Sequence, residues 1–245
     1  MEHSWPVMHL SSVDSTNNFI LRLIDTGQAT HEMVVNARFQ NQGRGQESNT
    51  WESDPCQNLT FSLLLKPEYL WPSAMFYLNQ AISLAIIDYL EDNQIFARIK
   101  WPNDILVGCK KIAGILIENS FLGDKYQYAI IGIGLNVNQE FFSDLQHKAI
   151  SMKNLLGRDT NLDIALHRLL NAIHQRLKYL KRGDYSSIYE DYKKHLHLYQ
   201  HWAIYQNNNQ SFKGKIIDIK PSGELCILLE NGEIREFMNK EVVFV

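Results

Sequence analysis

Two apolar runs flank a short polar turn near the middle of the chain. Ile105-Leu106-Val107 leads into Val107-Gly108-Cys109-Lys110, which has the length and glycine content of a hairpin loop, and Ile112-Ala113-Gly114-Ile115-Leu116-Ile117 follows. The second run is too apolar to be an exposed edge. Further strands are expected over Met33–Gln40, Leu59–Lys66, Ala97–Trp101 and Tyr126–Asn138. Helical spacing takes over elsewhere. Phe19, Ile20, Leu23 and Ile24 share one face of a helix that Ser15 or Thr16 can cap and Gly27 can end. Pro72 opens a long helix to about Asn93, apolar around most of its circumference and so expected at the centre of the core. From a cap at Asn161 the stripe Leu162, Leu166, Leu169, Ile173, Leu177 and Leu180 predicts a third helix, closed before Gly183. Asp184 caps a fourth. Beyond residue 200 the style changes to short strands, Phe212–Ile219, Leu225–Leu229 and Ile234–Phe237, with turns at Pro221-Ser222-Gly223 and Asn231-Gly232. That is a small β-barrel of SH3-like size, so the layout divides into 1–198 and a terminal barrel, 199–245.

Composition narrows the class. With 245 residues, 45% apolar and 21% charged, the chain can bury a sizeable core. A formal charge of −3 argues against a general binder of nucleic acid or anionic membrane. Cys56, Cys109 and Cys226 fall in no metal or disulfide spacing and read as free thiols of a reducing compartment. The first residues lack a signal peptide's basic and apolar runs, and no apolar run approaches about 18 residues. A cytoplasmic location is expected. No metal site is expected either: His195, His197 and His201 have no supporting Cys or carboxylate spacing and read as solvated.

Several residues carry possible chemistry. Lys100 and Asp104 stand before the central turn, Lys110 and Lys111 after it. A lysine entering a buried strand beside Gly114, where a ligand can approach the backbone, suits an anion. Residues 41–55 form a long polar loop containing Gly43-Arg44-Gly45, which matches neither a dinucleotide nor a Walker fingerprint. Trp51 in that loop wants a face to stack on. Ser15-Thr16-Asn17 either caps its helix or bonds a polar ligand at the helix N-terminus. Gly132 and Gly134 weaken their strand as ordinary sheet and allow close ligand contact, and Asn136 needs a partner if it is buried.

Four segments taken together, Asp14-Ser15-Thr16-Asn17, Gln40 to Trp51, Lys100 to Ile115 and Gly132 to Asn138, resemble the signature of biotin–protein ligases. Lys-Trp-Pro-Asn-Asp followed by Lys-Ile-Ala-Gly-Ile is its most specific part. The resemblance implies an α+β fold like that of the class II aminoacyl-tRNA synthetases, a mixed sheet flanked by helices, with the small barrel appended. It implies a two-step reaction in which biotin and ATP, with Mg²⁺, give biotinyl-5′-adenylate, and a carrier lysine then takes the biotinyl group. Lys111 matches the lysine that contacts the biotin carboxylate and the phosphate. Arg44, Gly43 and Gly45 match the loop that folds over the adenylate. Ser15, Thr16, Asn17 and Gln40 match residues around the biotin rings, and Gly114 a wall glycine. Trp51 and Asn136 match contacts to adenine or phosphate, with Asn103 and Asp104 on the nucleotide side. Asp104 would help hold Mg²⁺ or receive the amine proton. Lys100 would neutralise phosphate or pair with Asp104.

The chain departs from the family's best-known glycine loop: Gln46, Glu47 and Ser48 follow Gly45, and Gln46 replaces an arginine associated with retaining the adenylate. Glu47 is expected to face solvent. The Ser-Thr-Asn segment comes too early to leave room for the winged-helix domain of repressor-type members, so a stand-alone ligase without repressor activity is expected. A biotin carrier protein or domain is the implied partner, and monomer and homodimer are both allowed. A lipoate or octanoyl ligase of the same superfamily, and a non-catalytic biotin or nucleotide sensor, are the competing readings.

Overall fold

A two-residue hairpin at Gly108-Cys109 sits inside a seven-stranded sheet rather than at its edge. The computed structural model describes residues 3–46, 49–142 and 148–245. The chain begins with β1 (Val7–Leu10), α1 (Thr16–Asp25), β2 (Val34–Ala37) and β3 (Leu59–Leu65). A short 3-10 turn at Pro72–Ala74 precedes α2 (Phe76–Asp92), so the helix expected from Pro72 starts one turn later. Then come β4 (Arg98–Lys100), β5 (Asp104–Val107), β6 (Lys110–Leu122), β7 (Lys125–Leu135), α3 (Met152–Leu156), α4 (Leu162–Lys181) and α5 (Tyr185–His195). Strand order in the sheet is β1-β2-β3-β7-β6-β5-β4, and only the β1–β2 pair is parallel. β1, at one edge, had no expected counterpart.

The sheet's two faces have different fates. Phe61, Leu63, Ile131, Ile133 and Ile115 point to a layer of α2 and α4 and share one buried core with them. α2 is buried nearly all round, as its continuous apolar run requires. Each fully buried Leu or Ile there contributes roughly 1.5–3 kcal/mol. α4 starts on the expected cap: Asn161 Oδ1 accepts from the backbone N–H groups of Asp163 and Ile164 at 3.0 and 3.1 Å. The opposite face is covered only in part. α1 lies over Val35, Leu64 and Ile130 through Ile20, and the remainder of that face carries a cleft.

After α5 the chain forms a second, antiparallel sheet in the order β11-β10-β9-β8-β12. Its strands are β8 (Trp202–Asn207), β9 (Gln210–Ile219), β10 (Leu225–Leu229), β11 (Ile234–Phe237) and β12 (Val243–Phe244). β8 and β12 had no expected counterparts. Tyr205, Ile216, Ile219 and Leu225 belong to the same buried core as the first sheet. Trp101 bolts the two together. It is buried, and its indole N–H donates to the Gly223 carbonyl at 2.9 Å in the β9–β10 turn. The backbone N–H of Phe76 donates to Pro221 in the same turn.

His201 is exposed, as expected, whereas His195 and His197 are half-buried, which corrects the reading of those two as solvated. His195 ends α5, with Nδ1 2.9 Å from the Asp191 carbonyl and Nε2 3.3 Å from Glu91, and burial lowers the pKa of His197. Among the described residues no group of His, Cys, Asp or Glu is placed to hold a metal ion, the three cysteines are free, and no helix is long and apolar enough to cross a membrane.

Trp101→Phe keeps most of the ring volume but leaves the Gly223 carbonyl unpaired. It should lower unfolding stability by about 1–3 kcal/mol, seen as a fall in the urea midpoint at unchanged slope. An unchanged midpoint would remove Trp101 from its bolting role.

Candidate active site

Strand register builds the floor of a cleft on the face that α1 covers in part. Asp104, Gly114, Gly134 and Thr60 stand side by side across β5, β6, β7 and β3. Two residues along, Leu116, Gly132 and Ser62 form a second row. Two further along, Glu118, Ile130 and Leu64 form a third. Side chains alternate across a sheet, so each row presents its residues to the same face. Glycines in the first two rows leave a strip of bare backbone at the sheet's centre.

Side chains from other elements lie over that strip. A Cβ added at Gly134 would come 2.3 Å from the Trp51 indole, so the ring rests directly on the strand. One added at Gly114 would come 2.9 Å from Lys111 Cε and Nζ, and one at Gly132 would come 2.6 Å from Asn17 Oδ1. The space left is about 160 Å³, below the roughly 300–1,000 Å³ of a typical ligand pocket, because Trp51 fills its centre. The Trp51 indole N–H is buried and unpartnered among the described residues, a donor open to an acceptor from elsewhere.

The two ends of the cleft differ. At the head, Ser15, Thr16 and Asn17 are all buried. Ser15 occupies the N-cap of α1 but makes no capping bond. The cap comes instead from Gln40 Oε1, which accepts from Thr16 N and Oγ1 at 2.7 and 3.1 Å. The Ser62 hydroxyl lies 2.6 Å from Thr16 Oγ1 and 2.5 Å from Asn17 Oδ1. Of the two readings left open for Ser15-Thr16-Asn17, side-chain capping is therefore not what these residues do. Asp14 anchors the segment: its carboxylate accepts from Arg22 and Asn18, and the Arg22 guanidinium holds its pKa far below the usual carboxylate range.

At the other end Lys111 Nζ pairs with Asp104 Oδ1 at 2.5 Å and stands over the Trp51 ring, 5.5 Å from its centre. Asn103 donates through Nδ2 to the Ile115 carbonyl at 2.7 Å. Asn136 is buried and finds the partners it needs. It donates to the Lys111 and Ile150 carbonyls at 3.3 and 3.1 Å, so its amide fixes the backbone that carries Lys111.

Other expected members are not gathered at Lys111. Lys100 is not among the residues lining the cleft and does not pair with Asp104; its ammonium lies 5.3 Å from the centre of the Phe244 ring in the barrel. The Arg44 guanidinium sits at the head, on Glu118 and Asn18, about 14 Å along β6 from Gly114 at roughly 3.4 Å per residue. Gly43 and Gly45 shape the loop. Gly43 would clash with the Trp51 carbonyl if it bore a Cβ, and Gly45 donates its backbone N–H to the Asn49 carbonyl. Gln46 lines the cleft and accepts from Asn239 of the barrel at 2.9 Å. Glu47 and Ser48 lie outside the described residues. Glu118 had no expected role, although alternation from Gly114 through Leu116 marks it as the charge on the cleft-facing side of an apolar strand.

The chain matches the Biotin/lipoate A/B protein ligase family over residues 10–136. It is 30% identical over 236 residues to the bifunctional ligase/repressor BirA of Bacillus subtilis, covering 86% of this chain and 68% of the relative. The chain belongs to the biotin/lipoate A/B protein ligase family. This bears out the resemblance seen in the Lys-Trp-Pro-Asn-Asp and Lys-Ile-Ala-Gly-Ile segments, and with it the class of enzyme, a ligase. Within the family, a biotin–[acetyl-CoA-carboxylase] ligase of Paracoccus denitrificans is 36% identical over 131 residues, covering 52% of this chain and 53% of the relative. The structure is similar to that of the biotin protein ligase from Aquifex aeolicus in complex with biotin and ATP, with a TM-score of 0.82, 26% identity and 98% of each chain covered. That likeness bears out the α+β fold with its appended barrel.

Gly134→Ala should expel the indole from its seat. Relative to a Trp51→Phe reference, emission from Trp51 should shift to the red and become more quenchable by acrylamide, with a stability loss of about 1–3 kcal/mol. Unaltered emission would contradict the packing described.

Proposed function

We propose that the protein is an ATP-dependent biotin–protein ligase that forms biotinyl-5′-adenylate and passes the biotinyl group to a lysine of a biotin carrier domain. The observation that carries this reading is the two-ended cleft: a head lined by hydroxyls and amides and a lysine–carboxylate pair joined by a strip of bare backbone. A fused ring lies flat on glycine backbone where no Cβ intrudes. Asn17, Thr16, Ser62 and Gln40 offer the donors and acceptors that a cyclic urea demands. The acyl chain then runs along Gly134 and Gly114 towards Lys111. The Aquifex aeolicus ligase, alike over 98% of both chains, holds biotin and ATP.

Adenylation brings two anions together, and Lys111 supplies the positive charge between them. A carboxylate oxygen of biotin forms a bond to the α-phosphorus, the bond to the β-phosphate side breaks, and pyrophosphate leaves. In the second step the carrier lysine's neutral amine attacks the acyl carbon, the bond to the adenylate oxygen breaks, and AMP leaves while the amine loses a proton. Lys111 must exchange Asp104 for phosphate as the nucleotide arrives, which frees Asp104 to take that proton. Trp51 would rise from Gly134 and close over the adenylate, with its unpaired N–H available to an acceptor. Asn103 lines the nucleotide side, and Asn136 acts through the backbone of Lys111. Lys100 would have to leave Phe244 to meet phosphate. Asp104 lines the nucleotide end of the cleft and would hold a Mg²⁺ ion brought in with the triphosphate, which would neutralise phosphate charge there.

Catalysis is assigned to residues 1–198 and a supporting role to the barrel, 199–245. Free thiols suit a cytoplasmic setting. The charge of −3 gives no cationic excess for a phosphate backbone, so no repressor activity is proposed. The polar head favours biotin over lipoate or octanoate, which carry no amide in the ring or tail.

Incubation with biotin, MgATP and a biotin carrier domain should add one biotinyl group to the carrier, read by mass. Lys111→Ala should slow this by about 10²–10³-fold. A carrier left unmodified, with pyrophosphate released for lipoate or octanoate but not for biotin, would move the chain to the other branch of the family.

A further inference from the structure

Glu118 takes no part in the reaction as proposed, yet it is bonded into both the loop and the head of the cleft. Its Oε1 accepts from Arg44 Nη2 at 2.8 Å, and its Oε2 accepts from Arg44 Nη1 at 3.2 Å and from Asn17 Nδ2 at 2.7 Å. Arg44 is held a third time by Asn18 Oδ1 at 2.7 Å, so the pair does not swing freely. Both carboxylate oxygens receive N–H donors and neither offers one.

This has a consequence for Asn17. An asparagine amide has a donor side and an acceptor side of nearly the same shape, and its neighbours decide which way each faces. Facing a group that only accepts, Asn17 must turn Nδ2 towards Glu118. Its Oδ1 then points over the bare backbone of Gly132, within 2.5 Å of the Ser62 hydroxyl. A carbonyl oxygen has two lone pairs, and Ser62 occupies one at most. The second is left for the cleft. Asn17 is 3% exposed, so a head group that did not donate would leave a desolvated acceptor without a partner.

We propose that Glu118 is a specificity-determining positioning residue: by holding the Asn17 amide acceptor-inward, with Arg44 as its counter-charge, it makes the cleft select a ring that donates N–H. A cyclic urea meets that demand, whereas a dithiolane ring or an alkyl tail does not. The inference rests on the biotin-ligase reading and adds to it the residue that sets the polarity of the head. A glutamine at 118 would present a donor as well as an acceptor, and the Asn17 amide could then face either way.

The test compares wild type, Glu118→Gln and Glu118→Asp in biotin-dependent exchange of pyrophosphate into ATP. Biotin is run against biotin methylated on both ureido nitrogens. Wild type should prefer biotin by at least tenfold. Glu118→Gln should raise KM for biotin at least tenfold, leave kcat and KM for ATP within threefold, and lose most of the preference for the unmethylated ring. Glu118→Asp, which keeps an acceptor-only group, should keep that preference. An unchanged preference in Glu118→Gln overturns the proposal, as does a parallel rise in KM for both substrates. Calorimetry on wild type needs no variant: equal binding of biotin and its dimethyl derivative overturns it too. Exchange by wild type with lipoate or octanoate but not biotin would instead overturn the ligase reading on which the inference stands.

Discussion

Glycines in register across adjacent strands leave the middle of the sheet without side chains, and the rest of the site is arranged around that gap. Gly114 and Gly134 are direct partners, and Gly132 lies one row away. A bare strip costs the sheet packing that side chains on that face would supply. Other elements fill it from outside. Trp51 arrives from the long polar loop, Asn17 from the first turn of α1, and Lys111 folds back along its own strand. Each touches backbone where a Cβ would forbid it, so the glycines determine where three distant segments meet. On the proposed reading, side chains that reach this face from other elements give way to a ligand without unfolding the sheet, while the opposite face is packed against α2 and α4.

Charge is distributed with the same economy. Each cation of the cleft is matched by a carboxylate: Lys111 by Asp104 at one end, Arg44 by Glu118 at the other. Lys111 and Asp104 are both about a third exposed, so their attraction is screened by water and an arriving phosphate can compete for the ammonium. Arg44 has three acceptor contacts from two elements and is harder to recruit. On the proposed reading, the first pair is the one that opens for chemistry and the second is the one that stays to shape the head. Trp101, the most distinctive residue of the Lys-Trp-Pro-Asn-Asp segment, serves neither pair. It fastens the barrel behind them.

Features governed by local chemistry were legible in the sequence. The hairpin at Gly108, the cap at Asn161, the burial of α2 and the two glycine-bearing strands follow from short-range patterns, and the structure has all of them. Pairings fixed at long range were not. Alternation along β6 marks Glu118 as facing the same side as Gly114, but only the fold brings Asn17 and Arg44 to it. Asn136 needed a partner, but nothing local showed that the partners are the carbonyls of Lys111 and Ile150. Ser15 has the chemistry of a cap, but the capping bond to Thr16 comes from Gln40, 24 residues further along the chain. Lys100 and Asp104 face each other across a strand pair, yet their side chains part, because Phe244 and Lys111 offer each a closer partner. β1 and β12 are edge strands and β8 lies between β9 and β12, so each depends on neighbours that only the fold supplies.

A structure with a non-hydrolysable biotinyl-adenylate analogue bound would show whether the glycine strip seats the ligand. The ureido ring should lie over Gly132 and Gly134, with the Trp51 indole lifted from Gly134 and Lys111 Nζ moved from Asp104 to the phosphate. A ligand bound elsewhere, with the indole still seated on Gly134 and Lys111 still on Asp104, would contradict it.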